Sequence, residues 1–271
     1  MNLNDLNAIA NRIRSGSIQA IYNARSGHPG GCLSIAEMLA VLYFDEMNVR
    51  PDQPNWLGRD RFILSKGHAC PAYYIALGMK GYFAEEEALT LRKIDSRMEG
   101  HPDVRIPGVD APSGSLGMGL SQGLGMALGG RFQNMDFRTF VLLGDGDMQE
   151  GNTWEAIMAA GHHKVSSLTA LYDANKLQGD ASVADQMNMG DVAAKVQEFG
   201  WQVLSIDGHS IEDIQEALAT ARSCTDKPTF IVADTVKGKG VSFMENVLRW
   251  HGSVTMTDEE LHASLIELGV N

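Results

Sequence analysis

Cysteine is scarce in this chain. Cys32, Cys70 and Cys224 are the three among 271 residues, and no two of them share a CxxC spacing. Thiols so few and so far apart build neither a zinc knuckle nor a disulfide scaffold, and they point to a reducing compartment, the cytoplasm. Positive charge is also short. Lys and Arg total 22 against 34 Asp and Glu, a formal net charge of −12, which is the wrong sign for broad nucleic-acid binding. Long apolar runs are missing too. No stretch reaches the length of about 18 residues that a membrane span needs. Near the N-terminus Leu3, Leu6, Ile9, Ile13 and Ile21 are interrupted by Asn, Asp and Arg, unlike the unbroken apolar region of a signal peptide. There is no GxxxxGK[ST] and no GxGxxG after a strand, so P-loop and dinucleotide readings fall away. No internal repeat or low-complexity linker divides the chain.

An acidic chain can still bind a phosphorylated ligand. Backbone N–H groups, helix N-termini and a bridging metal hold phosphate without adding to the side-chain charge count.

What is present is a globular composition, 44% hydrophobic and 21% charged, which suits a packed core. The length suffices for one large domain or two small ones. An amphipathic helix is predicted over residues 4–25, with Asn4 or Asp5 as its cap, and a second over 34–44. Short strands are predicted at 61–64, 139–143, 168–172, 201–206 and 229–233. Helices are expected between them, near 71–79, 120–130, 192–199 and 211–223, with a further one after Gly146. Residues 85–92 read as a solvated helix and 179–190 as a polar loop. Thr257-Asp258-Glu259-Glu260 is a capping-box pattern that starts the last helix. Alternation of strand and helix from 61 to 233 predicts an α/β fold, a mainly parallel sheet with helices on both faces, in a single domain.

The stretch that organises the rest is residues 139–178. An apolar run breaks at Gly144-Asp145-Gly146, a helical pattern follows, and a second apolar run ends in Asp173-Ala174-Asn175. The 28 residues between Gly146 and Asn175 suffice for one crossover helix and one strand, returning the chain to the same sheet edge. Asp145 and Asn175 would then point from the edge where open α/β sheets bind ligands. A carboxylate and an amide oxygen suit Mg²⁺, which takes few protein ligands and completes its shell with phosphate oxygens. Against this stands the plain reading of Gly-Asp-Gly as a turn.

Other patterns are read as bland. Gly119-Leu120-Ser121-Gln122-Gly123 fits GxSxG, but a glycine-rich loop precedes it where the nucleophile elbow needs a strand. His162, His163 and His209 are read as surface or packing residues, and Met187-Asn188-Met189 as loop packing.

Gly144-Asp145-Gly146 followed by Asn175 resembles the thiamine-diphosphate signature, and Glu150-Gly151 with the helix behind it resembles the transketolase family in particular. Five further pieces resemble the same family in the same order: Ser26-Gly27-His28-Pro29-Gly30, Ser65-Lys66-Gly67-His68, Gly100-His101-Pro102, Gly114-Ser115-Leu116-Gly117 and His251-Gly252. Together they span residues 20–255.

The resemblance implies roles. Asp145, Asn175 and the Leu177 carbonyl would hold Mg²⁺, or Ca²⁺ or Mn²⁺ in its place. Gly146, His68 and His251 would contact the diphosphate of thiamine diphosphate, with Gly114 and Leu116 beside its rings. His28, His101 and His251 would line the sugar funnel, where imidazole, which titrates near neutral pH, can move protons at substrate hydroxyls. Glu150 and Glu155 resemble the acidic pair that links active sites across the subunit interface. Ser115 stands where the family often has Pro, Ala174 where a second Asp is common, and Ser253-Val254 where Ala-Pro is usual.

Length is the largest departure. The chain corresponds to the diphosphate-binding domain alone, residues 1–271. The expectation is therefore the N-terminal subunit of a split transketolase. A separate chain of about 300 residues would carry the pyrimidine-binding domain, in an α2β2 assembly acting on sugar phosphates of the pentose phosphate pathway. A modified or sulfonated ketose, or a non-catalytic cofactor-binding module, are the alternatives. The phosphate-recognition residues of the family lie in the part that this chain lacks, so its sequence leaves the sugar open.

Overall fold

Every residue of Thr139–Gly144 and Leu168–Ala174 is buried, the continuous burial that a strand covered on both faces requires. The computed structural model describes residues 1–179 and 181–270. Five strands form one sheet: β1 Arg61–Leu64, β2 Thr139–Gly144, β3 Leu168–Ala174, β4 Gln202–Asp207 and β5 Thr229–Asp234. Their order is β1-β2-β3-β5-β4 and every neighbouring pair is parallel. The helices, in chain order, are α1 Leu3–Ala24, α2 Pro29–Leu33, α3 Ala36–Val41, α4 Cys70–Lys80, α5 Met118–Phe132, α6 Gly151–His162, α7 Val183–Met187, α8 Val192–Glu198, α9 Ile211–Ser223 and α10 Asp258–Glu267.

Successive side chains of a strand point to opposite faces, and the core divides accordingly. Phe62, Leu64, Phe140, Leu142, Leu171 and Ile231 pack on one side with Ile13 of α1, Leu39 of α3, Tyr73 of α4 and Leu218 of α9. Ile63, Val141, Leu143, Ala170 and Phe230 pack on the other with Leu120 of α5, Ile157 of α6 and Val196 of α8. The predicted parallel sheet with helices on both faces is what forms. Among the described residues no helix is long and apolar enough to cross a membrane.

The differences from the sequence reading are local. Asn2, rather than Asn4 or Asp5, caps α1, accepting from the Asp5 N–H at 2.9 Å. The predicted helix over 34–44 begins earlier and is broken: α2 starts at Pro29, whose fixed φ suits a first helical position, and α3 ends in a π turn, Leu42–Glu46. The segment read as a solvated helix is a 3₁₀ turn, Glu85–Thr90, with Ala88 buried beneath it. Within the predicted polar loop, Ser182 caps the short α7. The capping box at Thr257 and Glu260 forms as expected.

Candidate active site

Parallel strands release their following loops at one edge, which gathers residues distant in sequence. At that edge, beyond β1, β2, β3 and β5, lies a cavity of about 320 Å³. Of the residues singled out from sequence, His28, His68, Gly114, Leu116, Asp145, Gly146, Glu150, Asn175, Leu177 and His251 all line it. His101 does not line the cavity; it is exposed and lies beside Gly114. Glu155 lies outside, exposed on α6.

Asp145 follows β2 directly, and Asn175 follows β3. The register pairs Gly144 with Asp173, so the two residues leave neighbouring strands one residue apart in level. Asp145 accepts from the Tyr172 hydroxyl at 2.6 Å and the Lys176 N–H at 2.9 Å. Burial nevertheless pushes its carboxyl up to about 6. The Asn175 side-chain oxygen accepts from the Leu177 N–H at 3.2 Å, and its nitrogen donates to Asp173 at 2.9 Å. The amide is thereby oriented with oxygen on the Leu177 side. Among the described residues no group of three or more His, Cys, Asp or Glu could hold a metal. A site for a hard cation would instead draw on one carboxylate, one amide oxygen and one backbone carbonyl. That donor set suits Mg²⁺, and a cation beside Asp145 would offset the burial that raises its carboxyl.

Two buried lysines, neither singled out from sequence, shape the charge. Lys66 is paired with Asp173 and also donates to the Gly31 carbonyl at 3.1 Å. Asp173 is fully buried, and burial alone would raise its carboxyl. Lys66, with the Thr235 and Ser34 hydroxyls, holds it below the usual range instead. Lys237, 2% exposed, is different. Its ammonium donates to the Leu177 carbonyl and lies within hydrogen-bond reach of His251 Nδ1, both at 2.7 Å. Burial and the charge of Lys66 bring it down to about 8. A buried ammonium whose hydrogen-bond partners are a carbonyl and an imidazole is complementary to an anionic ligand.

Asp147, also missed from sequence, ties the walls together. It accepts from the Ser65 hydroxyl at 2.6 Å, the Gly117 N–H at 2.8 Å and the Gly144 N–H at 2.9 Å. Lys66 sits inside a motif quoted above and Asp147 directly follows one, so their roles were unread. Lys237 lies in no motif quoted above. The available signal was its place just past the carboxyl end of a predicted strand.

Three imidazoles form the far wall. Ring centroids of His28, His68 and His251 are 5.1 to 5.8 Å apart. Burial, with neighbouring cations, lowers His28 to about 4, His251 to about 3 and His68 well below its ordinary value, so all three are neutral at pH 7. Burial also lowers His101. The Nδ1 of His28 is buried without a hydrogen-bond partner. A Cβ on Gly252 would lie 2.1 Å from the His28 ring, so glycine is what lets that loop close over the imidazole. The arrangement can bind an anion beside a cation and present neutral imidazoles to a polar substrate.

Comparison with known proteins points to one family. Residues 6–271 match the family described as transketolase, thiamine diphosphate binding domain. The chain is 38% identical over 259 residues to one subunit of the apulose-4-phosphate transketolase of Phocaeicola vulgatus, covering 96% of this chain and 92% of that one. It is 41% identical over 265 residues to a 6-deoxy-6-sulfo-D-fructose transketolase subunit from a Clostridium species, covering 97% and 96%. The crystal structure of transketolase from Campylobacter jejuni superposes with a TM-score of 0.95 at 34% identity, covering 100% of this chain and 44% of that one. Against longer curated relatives the chain spans 40% of their length.

Proposed function

The chain belongs to the transketolase family, as its thiamine-diphosphate-binding domain, and from that premise we propose that it is the diphosphate-holding subunit of a two-chain transketolase. It would move a two-carbon ketol unit from a ketose phosphate to an aldose phosphate. The observation that carries the reading is the cavity at the sheet edge, where a buried ammonium, three neutral imidazoles and the Asp145, Asn175 and Leu177 oxygens meet. Relatives of nearly equal length are named as transketolase subunits, which supports a separate chain of about 300 residues with the pyrimidine-binding domain. The closed symmetry usual for such proteins supports an α2β2 assembly. Free cysteines, two of them buried, support a cytoplasmic setting.

Asp145, Asn175 and the Leu177 carbonyl would hold Mg²⁺, with Ca²⁺ or Mn²⁺ as substitutes, once the Lys237 ammonium leaves that carbonyl, and Lys237, His68, His251 and Gly146 would hold the diphosphate. When bound, the cofactor's thiazolium supplies carbanion stabilisation. The chain's own residues position and polarise. His28 lines the cavity, and a neutral imidazole can both accept and donate to a substrate hydroxyl there. Glu150 reaches the cavity while Glu155, one turn on, faces solvent, an arrangement that suits a link between sites of adjoining copies.

Two named relatives act on apulose 4-phosphate and 6-deoxy-6-sulfo-D-fructose, which favours a second reading, a modified or sulfonated ketose in place of the pentose-pathway sugars of EC 2.2.1.1. A non-catalytic module is disfavoured by the complete set of polar groups. The test is turnover. With Mg²⁺ and thiamine diphosphate, the chain alone should give none, and the chain with its pyrimidine-domain partner should transfer ketol units. Assay of xylulose 5-phosphate against a sulfonated ketose separates the two substrate readings. Ketol transfer by the single chain overturns the two-chain proposal.

A further inference from the structure

His209 lies in the turn after β4, on the far side of β5 from the cavity, and is not at its wall. Its Nε2 accepts the Val236 N–H at 2.8 Å. Nδ1 must therefore carry the proton, and it faces Glu37 Oε2 at 3.2 Å. Glu37 in turn takes both its oxygens to Arg14 Nη2 at 2.6 Å, and Arg14 donates from Nε to the Leu33 carbonyl at 3.1 Å. Arg14 and Glu37 are each 4% exposed. The chain of contacts runs from α1 through α3 to the turn after β4 and ends on the residue before Lys237.

The segment 235–238 is fixed at each residue. The Thr235 hydroxyl donates to Asp173. Lys237 accepts through its carbonyl from the Asn246 N–H at 2.8 Å, and the Gly238 N–H donates to the Gly30 carbonyl at 3.0 Å. The turn itself closes tightly: a Cβ on Gly208 would lie 2.4 Å from Thr235 Cγ2. Val236 is held by a side chain anchored in turn to a buried ion pair. An imidazole that only filled space would not need one nitrogen on a carboxylate and the other on a backbone N–H.

We propose that His209, oriented by the Glu37–Arg14 pair, is a positioning residue that sets the Val236–Lys237 backbone so that the Lys237 ammonium stands over the cofactor pocket. This rests on the reading of Lys237 as a ligand for the diphosphate.

Two substitutions separate positioning from bulk stability. His209→Gln can place an acceptor where Nε2 stood, so it keeps the Val236 bond and gives up the donor to Glu37. His209→Asn keeps a donor near Glu37 and leaves the Val236 N–H without a partner. Thiamine diphosphate with Mg²⁺ is titrated into the full chain, alone and in the two-chain assembly, and thermal midpoints are recorded. The expected result is an affinity loss of about 10-fold for His209→Asn and under about 2-fold for His209→Gln, the size typical of groups that orient a ligand-holding residue. Amide exchange at Val236 should quicken in the Asn variant only. In a Lys237→Met background the Asn substitution should cost no further affinity, because the group it positions is gone. Equal affinities for the Asn and Gln variants overturn the proposal, as does an undiminished effect in Lys237→Met. If Lys237→Met itself binds like the unaltered chain, the diphosphate-ligand reading of Lys237 fails instead. Should His209→Asn not fold, Glu37→Gln carries the same comparison: a partial loss that vanishes in Lys237→Met supports the proposal, and a loss independent of Lys237 overturns it.

Discussion

Asn175 donates its side-chain nitrogen to the same Asp173 oxygen that takes the Lys66 ammonium and the Ser34 hydroxyl. One buried carboxylate thus neutralises a buried lysine and sets the orientation of an amide whose oxygen faces the cavity. Stability and ligand geometry depend on a single group.

That sharing predicts two separable losses. Asp173→Asn leaves the Lys66 ammonium, 1% exposed, without its counter-charge, and should cost about 3–5 kcal/mol in urea denaturation. Lys66→Met combined with Asp173→Leu removes both charges and should recover much of that stability. Cofactor affinity should stay low in the double variant, because the Asn175 amide has lost its anchor. Recovery of affinity together with stability would show that Asp173 acts only on the fold.

Asp145 gives the pH dependence. Burial raises its carboxyl to about 6, above the unfolded value of about 3.9. Between those values the folded chain holds more protons than the unfolded one. This group's contribution to stability is therefore fully present below about pH 4 and falls as pH rises through about 6. Cation binding needs the carboxylate, so Mg²⁺ affinity should run the other way and rise as pH passes from 5 to 7. Calorimetry of Mg²⁺ with thiamine diphosphate at three pH values checks the sign, and Asp145→Asn should abolish both the binding and this part of the slope. Stronger binding at pH 5 than at pH 7 sinks the assignment.

How much of this was legible follows from what each residue must do alone. Asp145 and Asn175 could be read because a strand end and a glycine turn leave a local signature, and parallel strands bring such ends to one edge. His28, His68 and His251 could be read because each sits in a glycine-rich loop resembling a known family. Lys237 and His209 could not. Their roles depend on which loop crosses which, and on partners 60 residues away for Lys237 at Leu177 and 172 residues away for His209 at Glu37. The helix start that slipped had a local signal: Pro29 is the first residue of α2, a position that its fixed φ suits.

Glu155 is exposed on α6, so its charge contributes little to the fold of one chain. Glu155→Lys should leave the unfolding free energy in urea within about 0.5 kcal/mol of the unaltered protein. If α6 lies at a junction between copies, the same substitution should shift the sedimentation profile of the two-chain assembly toward smaller species, since like or reversed charges across an interface oppose docking. An unchanged profile at micromolar concentration would take Glu155 out of the interface.

The last prediction concerns the loop over His28. A Cβ on Gly252 would come 2.1 Å from Cδ2 and 2.4 Å from Nε2 of that ring, so Gly252→Ala must move the imidazole or the loop. Overpacking of this kind costs about 1–3 kcal/mol. His251 adjoins Gly252 and would hold the diphosphate with Lys237, so a shift of the loop should weaken cofactor binding to a small extent. Turnover at saturating cofactor should fall further: displacing a catalytic group by ~1 Å can cost ~10²-fold, and the expected change is a fall of that order in kcat/KM for ketol transfer by the two-chain assembly. His28→Ala makes room for the new methyl. The double variant Gly252→Ala, His28→Ala should therefore be no slower than His28→Ala alone, since two changes acting through one contact do not add. Additive losses would mean that Gly252 serves the loop and not the imidazole.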